Sequence, residues 1–233
     1  MAKSSQGWVS LQSFKDRINE TQDLIDALVG HVHALRTFLD WIKAKDEPDY
    51  EKFKKILEVN DKQFQKLYEL GFIALFANFE CFMYEYIKEL FNKYPDSLKT
   101  EKTLTFDDIK DLDNISEVRE HFIDSVAIEK SHSIDIWATF LSQRFGINIF
   151  KTRDDLTLFK SLNSLRNLIL HSGGKTNTQF RKEMRSFISQ PVPIGAHHDL
   201  DMKFFFSALL TFLQLHVLEG ASMGPVFKEE ATK

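Results

Sequence analysis

Apolar residues recur along the chain at every third or fourth position, the interval that places them on one face of an α-helix. Between Leu11 and Lys45, the residues Phe14, Ile18, Ile25, Leu28, Val32, Leu35, Leu39 and Ile42 predict one long amphipathic helix. The stretch from Ala44 to Asp49 breaks the pattern at Pro48, and Tyr50, Phe53, Ile56 and Leu57 predict a short second helix. The most regular stripe follows. Phe64, Leu67, Tyr68, Phe72, Leu75, Phe76, Phe79, Phe82, Met83, Tyr86, Ile87 and Leu90 keep a helical period for about seven turns. A capping-box spacing at Asn60 and Gln63 opens this stripe, which predicts a central, buried helix.

Beyond Pro95, residues 96–114 are rich in Asp, Lys and Thr and read as a connecting loop; residues 116–130 and 133–144 predict two shorter helices. Thr152 and Asp155 repeat the capping-box spacing and start a helix that runs to His171, where Ser172-Gly173-Gly174 stops it. Two further helices are expected over residues 177–189 and, after the Pro191-Val192-Pro193 break, over residues 199–219. The expected organisation is an N-terminal helical extension at 1–60, a helical domain at 61–219 and a loose tail at 220–233.

Composition supports an all-α fold. The 233 residues can bury a sizeable core without a staple, and 22 Phe against 9 Gly and 5 Pro argue against a turn-rich β architecture. The single cysteine, Cys81, lies within an apolar helical pattern and has no partner for an intramolecular disulfide, which fits a reducing compartment. The first ten residues, MAKSSQGWVS, lack the apolar run of a signal peptide. The longest apolar stretch, Phe204 to Leu218, contains Ser207, Thr211, Gln214 and His216 and is short for a bilayer span. A cytoplasmic protein without a membrane partner is therefore expected.

The net charge of -4 conceals a sorted distribution. From Arg144 to Arg185 nine Lys and Arg face three acidic residues, nine minus three or +6, which leaves about -10 on the remainder. This basic segment surrounds the predicted helix that ends at His171. In that helix Leu158, Leu162, Leu165 and Ile169 define an apolar face, while Asn163, Asn167 and His171 recur every fourth residue on another face, with Arg166 one turn from Asn163. A guanidinium binds phosphate oxygens as a planar fork, and an imidazole moves protons near neutral pH. If His171 takes the proton of a ribose 2′-hydroxyl, the oxygen can attack the adjacent phosphorus while Arg166 stabilises the added charge. No metal or organic cofactor is required. Lys175, Arg181, Lys182 and Arg185 follow closely and, with Asn163, are candidates to track an RNA backbone. Elsewhere, His197-His198-Asp199 reads as a helix N-cap by Asp199 rather than a metal site, and His121 and His132 have no partner that the sequence identifies.

The string R-N-L-I-L-H at 166–171, late in a helical chain, resembles the Arg-Asn-x-x-x-His motif of HEPN ribonucleases. The resemblance covers about residues 61–219 and implies a HEPN-type helical bundle, with the first helix as an extension. It implies that Arg166 and His171 are catalytic, that Asn167 supports them, and that Glu80 on the central helix orients the arginine. Some family members carry a tyrosine two residues after the histidine, where this chain has Gly173. The implied activity is metal-independent endoribonucleolysis leaving a 2′,3′-cyclic phosphate, in a toxin, antiphage or abortive-infection setting with an antitoxin or regulatory partner. A homodimer is expected as well, since a twofold pair joins two histidines in one composite cleft. The other expectation is a noncatalytic HEPN-like module that binds RNA, a nucleotide or a partner protein such as a nucleotidyltransferase.

Overall fold

The periodic stripes fold as helices. The computed structural model describes residues 8–57, 61–98, 103–131, 133–185, 193–198 and 200–225. In chain order the helices are α1 (Val9–Ala44), α2 (Tyr50–Leu57), α3 (Asp61–Lys93), α4 (Phe106–Ile109), α5 (Ile115–Ser131), α6 (Ile134–Phe145), α7 (Arg153–Ser172), α8 (Thr178–Glu183), α9 (Met202–Phe212) and α10 (Leu218–Ser222). A π-turn at Leu213–Val217 joins α9 to α10. Among the described residues there is no strand, only one isolated antiparallel bridge between Lys175 and His197, so the fold is all-α.

Two expectations shift in detail. The stretch at 96–114 holds a 3₁₀ turn at Pro95–Leu98 and the one-turn α4, whose start is closed by a capping box between Thr105 and Asp108. The helix expected at 177–189 is observed as α8, with Met184 as its C-cap, and residues 186–192 lie outside the described residues. The Asn60 cap, the Asp199 cap and His132 also fall outside them.

Packing groups the chain into two units whose limits fall within α1, α3 and α7 and at the end of α9. The first comprises Met1–Asp16, Ala77–Thr157 and Phe212–Lys233; the second comprises Arg17–Phe76 and Leu158–Thr211. α1 contributes buried residues to each, Phe14 to the first and Ile18, Ile25, Val32, Leu39 and Ile42 to the second. In the first unit Phe14 stacks on Phe82 with ring centroids 4.4 Å apart, and Phe82 stacks on Tyr86 at 5.2 Å. Trp137, 1% exposed, tilts against Phe79 and Phe150, each at 5.3 Å. The high phenylalanine content is the material of this core.

The start of α1 has no acidic residue of its own, and Glu89 of α3 supplies one. Its carboxylate accepts from Val9 N at 3.1 Å, Ser10 N at 3.0 Å and the Ser10 hydroxyl at 2.6 Å, satisfying amides that a helix start leaves open. Burial alone would raise the Glu89 carboxyl, but these bonds and Lys93 overcome it and hold the group below the ordinary carboxylate range.

In the second unit Phe72, Phe76 and Phe159 pack in series at 5.3 and 5.4 Å. At Gly71 the neighbouring elements approach α3 closely, because an added Cβ would lie 2.7 Å from Ile25 Cγ1 of α1 and 2.8 Å from Phe206 Cε2 of α9. Gln65 Oε1 accepts from Met202 N at 2.9 Å and so fixes the start of α9. The helical spans Gln63–Lys93 and Met202–Ser222 are long and apolar enough to cross a membrane, but half of each apolar window is buried within the structure. Cys81, expected among apolar neighbours, is exposed, with its thiol 3.4 Å from Glu85 Oε1.

Candidate functional site

Helix α7 starts as its sequence indicates: Thr152 N donates to Asp155 Oδ2 at 2.9 Å and Asp155 N donates to Thr152 Oγ1 at 3.1 Å. Its buried residues are Phe159, Ser161, Leu162, Ser164, Leu165 and Leu168. The buried arc contains the expected face of Leu158, Leu162, Leu165 and Ile169, of which Leu158 and Ile169 are partly covered, and widens it to Phe159, Ser161, Ser164 and Leu168. Two serines are buried with it, and the Ser161 hydroxyl donates to the Glu183 carbonyl at 3.1 Å and holds the end of α8 against α7.

At about 100° per residue, the buried set spans roughly 220° of the helix circumference and leaves an open arc of about 140°. Asn163 and Asn167, half-buried, and His171, exposed, all fall in that open arc. Arg166 sits at its edge and is half-buried. Straight projection would set Arg166 and His171 about 140° apart, too far to serve one phosphate. The Arg166 side chain curls instead, and its Nη1 donates to Asn167 Oδ1 at 3.0 Å. Asn167 is only about 40° from His171 on the helix, so this bond turns the guanidinium toward the face that carries the imidazole.

The chain then folds back over the helix end. Gly173 (φ 55°) and Gly174 (φ 79°) take left-handed conformations that stop α7, and Gly174 N donates to the Leu168 carbonyl at 3.1 Å. Residues 174–176 next pair with residues 195–198. Thr176 N donates to Ala196 O and Gly195 N to Thr176 O, both at 2.8 Å, and His198 N donates to Gly174 O at 3.0 Å. Gly174 is required here for space as well as for φ: a Cβ would lie 3.2 Å from His198 Cδ2 and 3.6 Å from His197 Nδ1.

This pairing brings together residues that the sequence kept apart. His197 is exposed and bridged to Lys175. The His198 side chain is 7% exposed, with Nε2 3.9 Å from Oε1 of Glu69, an acid on α3 that is itself 7% exposed. Glu69 also pairs with Lys66. Neither histidine nor Glu69 stood out as a site residue. The available signal was Glu69 lying three residues before Phe72 and four after Gln65, on the buried side of the α3 stripe.

Lys175, Arg181, Lys182 and Arg185 are all exposed in the same unit as Arg166 and His171. Asn177 caps α8 by accepting from Phe180 N at 2.8 Å, and buried Phe180 and Met184 anchor it, so its basic side chains face solvent. Glu80 is exposed on α3 and belongs to the first unit, whereas Arg166, Asn167 and His171 belong to the second. The carboxylate that α3 contributes near the histidine loop of the second unit is Glu69. Among the described residues no group of three or more His, Cys, Asp or Glu is arranged to hold a metal ion. No protein-family model, curated protein or solved structure matches this chain.

Proposed function

We propose that the protein is an endoribonuclease of HEPN type that cleaves RNA by attack of the ribose 2′-hydroxyl, leaving a 2′,3′-cyclic phosphate and a 5′-hydroxyl. The observation that carries this reading is the Arg166–Asn167 hydrogen bond, which turns a guanidinium toward the open face of α7 that ends in exposed His171. His171 accepts the 2′-hydroxyl proton, Arg166 stabilises charge on the phosphoryl oxygens, and Asn167 holds Arg166 in place. Lys175, Arg181, Lys182 and Arg185 lead the RNA backbone to this face. A cytoplasmic toxin or antiphage effector, held in check by an antitoxin or regulatory partner and able to pair as a homodimer, is the setting that fits such chemistry.

The test uses single-stranded RNA in EDTA. Wild-type protein is expected to cut it, and Arg166→Ala and His171→Ala are each expected to lower the rate by about 10²–10⁴-fold with unchanged helicity. Equal cutting by both variants and the wild type would refute the assignment.

One observation favours a second reading, a noncatalytic binding module. Phe38 and Trp41 of α1 and Phe53 of α2 form an exposed ring cluster, 41%, 55% and 37% exposed, with Phe38 6.3 Å from Trp41 and 6.1 Å from Phe53. Such a surface suits base stacking or a partner protein. Tight RNA binding without cleavage, lost on Trp41→Ala and kept in His171→Ala, would favour it.

A further inference from the structure

Transesterification of RNA moves two protons: one leaves the attacking 2′-oxygen and one reaches the departing 5′-oxygen. The sequence motif holds one histidine, and a second chain was the expected source of the other. Residues 195–198 return to the turn that ends α7 and carry a further histidine, His197. Gly174 is three residues from His171, a span of at most about 11 Å of backbone, and its bond to Leu168 pulls it back onto the last turn of the helix. His197 Nδ1 lies 3.6 Å from where a Gly174 Cβ would be, and the imidazole is exposed like that of His171. Lys175 is bridged to His197, and side chains opposed in this way stand about 5 Å apart, so a cation able to hold a phosphate accompanies the ring. His198, its side chain 7% exposed and its Nε2 3.9 Å from Glu69 Oε1, anchors the segment that presents His197.

We propose that His197 is the second proton-transfer group of the site and that one chain holds both imidazoles, which rests on the ribonuclease reading above. His171 takes the proton from the 2′-hydroxyl as the 2′-oxygen bonds to phosphorus. The bond from phosphorus to the 5′-oxygen breaks, and the His197 imidazolium gives that oxygen its proton. His171 ends protonated and His197 neutral, and exchange with water restores both. A dimer then contains two complete sites rather than one shared cleft.

The test compares an ordinary RNA linkage with one in which sulfur replaces the bridging 5′-oxygen, because a thiolate departs without a proton. His197→Ala, which alters an exposed side chain, is expected to slow cleavage of the ordinary linkage by about 10²–10³-fold and to cut the sulfur linkage at close to the wild-type rate. His171→Ala is expected to lose both. Circular dichroism of His197→Ala and rescue of its activity by added imidazole guard against a folding defect. Mixing His197→Ala chains with chains carrying both Arg166→Ala and His171→Ala is expected to restore nothing. Wild-type rates in His197→Ala, equal loss on both linkages, or restoration in the mixture would each overturn the assignment while leaving the ribonuclease reading intact. Failure of the wild type to cut either linkage would overturn both.

Discussion

Arg166 stands at the border between the buried and open arcs of α7, and a side chain in that position has two directions to go. The Asn167 oxygen at 3.0 Å selects the outward one. Removing that acceptor leaves the guanidinium in place chemically but without this bond toward the open face. Asn167→Ala is therefore expected to lower kcat by about ten-fold to a hundred-fold while Arg166 remains, less than the loss on Arg166→Ala. A single-turnover rate equal to wild type would remove Asn167 from the site. Arg166→Lys is expected to recover little of the lost activity, since an ammonium on a flexible stem does not reproduce the fork that bonds Asn167 and phosphate together.

Among the elements, the segment from Ser172 to Thr176 determines where the histidines go. Gly174 combines a positive φ with close contact to His198, whereas Gly173 has the positive φ but open space around its missing Cβ. Gly173→Ala is expected to cost about 1 kcal/mol and Gly174→Ala distinctly more in urea unfolding, with the second also lowering cleavage activity because it pushes His197 and His198 away. An equal cost for the two would contradict the close approach of His198 to Gly174. At Gly71 the added methyl would meet two apolar side chains from different helices, so Gly71→Ala is expected to destabilise by about 1–3 kcal/mol.

These elements also show what can be read from sequence. The α7 capping box, its length and its glycine stop are local, and each residue that determines them lies within a turn of its effect. The direction of the buried face of α7 was legible but its width was not, because Ser161 and Ser164 are buried and hydrophobicity does not mark them. The pairing of 174–176 with 195–198 was illegible. It depends on backbone bonds between distant segments and on the space above a glycine, and no periodicity marks either. Glu80 stood out through its place in the motif resemblance, whereas Glu69 is significant through its neighbours.

For the whole molecule, charge and acid stability provide separate tests. The charge sorting around α7 places exposed cations on and beside α8. Removing three together, Arg181→Ala, Lys182→Ala and Arg185→Ala, is expected to reduce the slope of log affinity for single-stranded RNA against log salt by about 2, with little change in unfolding midpoint. Glu89 acts in the first unit, where it caps α1. Since its carboxyl is held below the ordinary range, the stability it contributes is present at neutral pH and is lost as pH falls through the depressed value. Glu89→Gln is expected to cost about 1–2 kcal/mol near neutrality and to flatten the decline in stability on acidification. An unchanged acid profile would show that the cap is not the origin of that decline.

The most direct measurement is end analysis of RNA cut in EDTA by wild type, Arg166→Ala and His171→Ala under single-turnover conditions. Wild type is expected to leave 2′,3′-cyclic phosphate and 5′-hydroxyl ends, and both variants to lose about 10²–10⁴-fold in rate. Cleavage that persists in both variants, or ends bearing a 5′-phosphate, would contradict it.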